Sequence, residues 1–128
     1  MRLIVIYRTQ CRPTWIALLA ALEDGGLSGR FDIRLTDWTQ APAELEAAQA
    51  EGRRALIALT LKIYDAMEAR AGLATLAPML RLGDLVVAGG PHATALPAQT
   101  LALGVGAVLA GEGETAFVEL VRRLTEGR

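Results

Sequence analysis

The chain has 128 residues, 52% of them hydrophobic but only 5% aromatic, and a formal net charge of -1. That length fits a single domain over residues 1–128, large enough to bury roughly two thirds of its unfolded surface. Interspersed charges exclude a phosphate-tracking surface, and with it nucleic acid as partner; the lone cysteine, Cys11, excludes an intrachain disulfide or a cysteine-built metal or iron–sulfur site, and fits a reducing cytoplasm.

Short apolar runs alternate with longer amphipathic ones along the chain. Leu3 to Tyr7 reads as a first strand, continuous and β-branched. It is too short for a signal peptide's apolar region or a membrane span, so a soluble chain without membrane partners is expected. Pro13-Thr14 opens a helix through about Glu23 that stops near Gly25-Gly26. Phe31 to Asp37 alternates apolar and polar, as an edge strand exposed on one face does. Pro42 to Glu51 is an Ala- and Glu-rich helix ended by Gly52. Ala55 to Thr60 is apolar enough for a central strand, and Tyr64 to about Leu82 contains a third helix that Pro78 kinks or splits. Leu85 to Ala88 is a fourth strand, Ala98 to Leu103 a short helix, Ala107 to Leu109 a brief fifth strand, and Glu114 to Leu124 a closing amphipathic helix.

This alternation predicts an α/β fold with a five-stranded parallel sheet and helices on both faces, because parallel strands need crossover connections. A polar second strand favours the flavodoxin-like order 2-1-3-4-5, a Rossmann-like three-layer sandwich. Ligands of such folds bind beyond the carboxyl ends of the strands. That selects four loops: Arg8 to Pro13, Thr60 to Asp65, Gly89 to Leu96 and Ala110 to Thr115. In the third of these, Gly89 and Gly90 let a ligand or backbone approach closely, Pro91 holds the chain out of a helix, and His92 and Thr94 supply hydrogen-bonding groups. Trp15 and Trp38 are expected to cap the edges of the core.

The string Gly89-Gly90-Pro91-His92-Ala93-Thr94-Ala95-Leu96-Pro97, with Gly111-Glu112-Gly113-Glu114-Thr115-Ala116-Phe117 after a short helix, resembles the cobalamin-binding domain at the amino end of B12-dependent radical S-adenosylmethionine (radical SAM) proteins. The resemblance implies that the nucleotide tail of cobalamin enters between sheet and loops, lined by Gly89, Gly90, Pro91, His92 and Thr94, with Thr60 at a position where a small hydroxyl residue commonly bonds the tail. It also implies that the first loop, with Thr9, Gln10 and Cys11, faces the corrin, and that Gly111, Glu112 and Gly113 form the neighbouring wall. No catalytic residue and no protein ligand to the metal is implied. The Asp-x-His-x-x-Gly ligand motif of cobalamin-dependent mutases is absent from Tyr7-Arg8-Thr9-Gln10-Cys11-Arg12-Pro13, so the corrinoid is expected with its base displaced. The Cys-x3-Cys-x2-Cys cluster motif is also absent, so the [4Fe-4S] cluster and S-adenosylmethionine of the family belong to a radical SAM catalytic domain elsewhere, in a longer chain or a separate subunit. The ending Glu126-Gly127-Arg128, just past a helix, favours a domain cut from a longer enzyme.

Other readings are weaker. Gly111-x-Gly113-x-x-Ala116 fits a dinucleotide fingerprint in form, but Glu112 and Glu114 would repel a pyrophosphate. A phosphate-accepting receiver needs acidic residues where Arg8 and Thr60 stand, and a flavin site needs glycine where Arg12 and Pro13 stand. Two alternatives remain: a non-catalytic interaction domain with a degenerate pocket, and a flavin-binding domain, for which Thr9 and Thr14 still offer hydroxyls in the first loop.

Overall fold

A computed structural model describes residues 1–6, 12–27, 32–60, 66–89, 95–109 and 114–125, excluding the side chains of 12–14, 66 and 114–115. In chain order these form β1 (Arg2–Ile6), α1 (Arg12–Asp24), β2 (Asp32–Thr36), α2 (Ala41–Ala50), β3 (Ala55–Thr60), α3 (Ala66–Leu76), β4 (Leu85–Gly89), α4 (Pro97–Ala102), β5 (Ala107–Val108) and α5 (Glu114–Thr125). The sheet has the order β2-β1-β3-β4-β5 with every pairing parallel, as the sequence pattern predicts.

Strand periodicity divides the core in two. Ile4 and Ile6 of β1, with Ile57 and Leu59 of β3, turn to one face and meet Leu45 of α2 and Leu73 and Leu76 of α3. Leu3 and Val5, with Leu56 and Ala58, turn to the other and meet Trp15, Leu18 and Leu22 of α1 and Phe117 and Val121 of α5. Burial on both faces explains why β1 and β3 read as unbroken apolar runs. The edge strand β2 has no fully buried residue, and its Leu35 is exposed.

Helix ends follow the glycines. After α1, the Gly26 N–H donates to Glu23 O and the Leu27 N–H to Leu22 O, with Gly26 at φ 73°; after α2, Gly52 and Arg53 repeat the pattern onto Gln49 O and Ala48 O. Both are left-handed closures that a residue with a Cβ would strain. The third helical segment is split at Pro78, one of the two outcomes expected of that proline. α3 stops at Leu76, a 3-10 turn follows over Ala77–Met79, and Leu80 is extended, so Arg81 and Leu82 are not helical. Pro78 cannot donate into the ladder and its ring excludes the helical course, so the helix ends there instead of bending.

The amino edge of the sheet is closed by charge. Arg2, 3% exposed, donates to both oxygens of Asp32 and pairs with Glu51 (2.8 Å), while Arg53 pairs with Asp32 (3.1 Å). The Arg2 guanidinium holds the Asp32 carboxyl below its ordinary range, and Arg2 is shifted upward by the same hydrogen bond. Asp84 accepts from the Ala55 N–H at the start of β3 (2.9 Å), which ties the turn before β4 to that strand. With its donors and acceptors matched to one another, this edge is a structural clamp.

Candidate functional site

The opposite, carboxyl edge is where the chain reverses direction across the sheet, since β1 is flanked by β2 on one side and β3 on the other. In open parallel sheets this is the crevice that receives ligands. Thr60 is the last residue of β3 and pairs in register with Gly89, the last of β4. Alternation puts Thr60 on the face of Leu56 and Ala58, and Gly89 on the face of Leu85 and Val87. The two therefore stand side by side, one strand spacing of about 4.8 Å apart, on the face covered by α1 and α5.

Thr60 Oγ1 is buried and has no hydrogen-bond partner among the described residues. Other threonines of the fold are satisfied: Thr100 Oγ1 donates to Leu96 O at 2.9 Å, and Thr125 Oγ1 to Val121 O at 2.9 Å. A buried hydroxyl left without a partner costs about 1–3 kcal/mol, so such a group calls for an explanation, of which a bound ligand is one.

Gly89 has no structural reason of its own among those residues. Its φ is not left-handed, and a Cβ there would meet Leu109 O at 3.6 Å and Leu109 Cβ at 3.9 Å, which are ordinary contacts. Gly72 in α3 is the opposite case, because a Cβ there would overlap the Trp38 ring that lies on it. The smallness of residue 89 thus leaves space beside a hydroxyl that has no partner among the described residues.

The same end of this face holds a second orphan. Trp15, in the first turn of α1, is 3% exposed and meets Phe117 of α5 edge to face, centroids 6.2 Å apart at 78°. Its Nε1 is buried without a partner among the described residues. Sequence reasoning placed Trp15 at the rim of the core, whereas α1 and α5 enclose it. The signal within the sequence was its place in the turn directly after the first site loop. Trp38 does sit at a core edge, half-buried against the α2 and α3 face.

Of the residues singled out from sequence, the structure brings Thr60 and Gly89 together. Thr9, Gln10, Cys11, Gly90, Pro91, His92, Thr94, Gly111, Glu112 and Gly113 lie outside the described residues. Among the described residues no cluster of three His, Cys, Asp or Glu side chains could hold a metal ion, and no helix is long and apolar enough to cross a membrane. An open depression of about 380 Å³ at the end of β2 is lined by Leu35, Thr36, Asp37, Gln40 and Glu44; its Asp37 is already engaged, accepting from the Gln40 N–H at 2.8 Å.

Comparison with known proteins gives two findings. A family model described as B12 binding domain matches residues 5–121, from β1 to α5. Among solved structures, the chain is similar to the crystal structure of a CheY-like protein (tadZ) from Pseudomonas aeruginosa PAO1, with a TM-score of 0.63 and 18% identity over 100% of this chain and 94% of that one. At that identity the likeness shows the flavodoxin-like fold alone. No curated protein matches the chain.

Proposed function

Because the chain belongs to the B12-binding domain family, we propose that it holds cobalamin at the carboxyl edge of its sheet, with the nucleotide tail lying between the sheet and helices α1 and α5. The observation that carries this reading is the buried Thr60 Oγ1, without a partner among the described residues, next to Gly89. A hydroxyl both donates and accepts, so it can meet a tail heteroatom of either kind, and glycine beside it leaves room for a flat group to approach. The apolar side chains on this face, among them Val5, Ala58, Val87 and Phe117, exclude water and strengthen any such hydrogen bond.

Bound cobalamin supplies a cobalt centre that carries and releases an alkyl group. The chain's task is to bind and orient it. The loop sequence Arg8-Thr9-Gln10-Cys11-Arg12-Pro13 offers no histidine for the lower face, which favours a corrinoid with its base displaced into the tail site. Gly90, Pro91, His92 and Thr94 after β4, and Gly111, Glu112 and Gly113 before α5, complete the surroundings of the tail and corrin in this reading. The partner it serves is a radical SAM catalytic domain, in the same longer polypeptide or a separate subunit. That domain supplies the [4Fe-4S] cluster and S-adenosylmethionine, because one cysteine cannot ligate the cluster.

The test is retention of hydroxocobalamin by the purified chain through gel filtration, followed by its visible spectrum. Near-stoichiometric coloured protein is expected. Colourless protein at saturating corrinoid, from folded material, refutes the reading and leaves a domain whose pocket has lost its ligand.

A further inference from the structure

We infer that Trp15 is a tail-positioning residue, its indole N–H donating a hydrogen bond to an acceptor atom of the nucleotide tail. This rests on the cobalamin reading and adds a second, independent contact to it. Trp15 Nε1 and Thr60 Oγ1 are the two buried side-chain polar atoms without a partner among the described residues. They come from elements far apart in sequence, the first turn of α1 and the last residue of β3. Yet both lie on one face of the sheet, at its carboxyl end: Trp15 shares the core cluster of Val5 and Ala58 and meets Phe117 edge to face, and Thr60 is the next residue on Ala58's side of β3.

Chance burial of one indole N–H is unremarkable. Two such atoms at the carboxyl end of the face covered by the same two helices suit a binding site with two polar points in apolar walls. An indole N–H only donates, so what it meets must accept. A nucleotide tail offers such atoms in its phosphate and ribose oxygens and, once the base has left cobalt, in a ring nitrogen. The edge-to-face contact with Phe117 of α5 limits how the indole can turn, so the donor is held in place before the ligand arrives. Tail-bearing corrinoids should therefore be favoured over tail-less ones, in part through Trp15.

The experiment compares hydroxocobalamin with cobinamide, which lacks the nucleotide tail, on wild type and Trp15→Phe. The expected result is a three- to tenfold loss of cobalamin affinity in the variant with cobinamide affinity unchanged, the range set by one neutral hydrogen bond. Equal losses for both corrinoids, or none for either, overturn the inference while leaving cobalamin binding by the domain intact. Wild type that binds neither corrinoid overturns both. Should Trp15→Phe fail to fold, replacement of Trp15 by benzothienylalanine, which keeps the bicyclic shape and removes only the N–H, gives the same comparison. As a direct readout, the Trp15 indole proton resonance should move downfield with cobalamin and not with cobinamide. Trp38, on the other face of the sheet, is the internal control.

Discussion

Replacing Thr60 by valine separates stability from binding by moving them in opposite directions. Thr60→Val exchanges a hydroxyl for a methyl at constant branching, in a strand position that suits β-branched side chains. In the ligand-free protein the hydroxyl lost is one that makes no hydrogen bond among the described residues. Removing it relieves a desolvated polar atom, worth about 1 kcal/mol at the low end of such penalties. For a domain of this size that raises Tm by about 3–5 °C. In the complex, the same change deletes a hydrogen bond to the tail, about 1 kcal/mol or about fivefold in Kd, and more if the tail atom is left unpaired. Thr60→Ser keeps the hydroxyl and loses a methyl, about 0.8 kcal/mol of burial. It should therefore be less stable yet bind nearly as well. Thermal melts followed by circular dichroism, with corrinoid titrations on the same three proteins, decide the matter. If Thr60→Val melts lower than wild type and binds cobalamin equally well, the hydroxyl is a structural bond donor and the site has been misread.

Two further substitutions separate the glycines of the site from those of the fold. Gly89→Ala should fold with stability equal to or about 0.5–1 kcal/mol above wild type, because its Cβ meets only ordinary contacts and the change stiffens the unfolded chain. It should lower cobalamin affinity about tenfold or more by overpacking the tail; full-strength binding would refute the role given to the space. Gly72→Ala should do the reverse, costing about 1–3 kcal/mol against Trp38 with the binding constant unchanged once folded protein is counted. Acid stability should depend on Asp32. Because Arg2 lowers its folded value, its contribution is fully present above the ordinary 3.8 and is lost as pH falls from there through the depressed value. Asp32→Asn should flatten that part of the pH–stability curve measured by urea unfolding, and an unaltered acid limb would show that the clamp contributes nothing.

Most of the fold was legible because it rests on local signals. Unbroken apolar runs mark strands covered on both faces, the polar Phe31 to Asp37 run marks the edge, and Gly26 and Gly52 close helices where backbone conformation requires glycine. The split of the third helical segment at Pro78 has an equally local cause, since proline cannot donate into the helical ladder. Thr60 was legible as a strand end, and Gly89 as the first residue after one, where the structure makes it the last residue of β4.

That they belong to one site followed from the family resemblance; that they stand side by side in register was not legible. Their adjacency depends on the register between β3 and β4 and on which face each strand end turns to, and neither strand carries that information alone. Burial decided the rest. A threonine hydroxyl or an indole N–H has the same covalent structure at the surface and in the interior, and only the folded chain takes Thr60 Oγ1 and Trp15 Nε1 out of water while giving them no partner among the described residues. The same holds for Arg2, an ordinary strand-opening charge in sequence that is buried because Asp32 and Glu51 converge on it from other elements. Sequence by itself determined the order of the elements and which loops share an edge, because periodicity and turn chemistry act over a few residues. Tertiary structure alone decided which polar atoms are left for a ligand to satisfy, because that depends on groups brought together from distant parts of the chain.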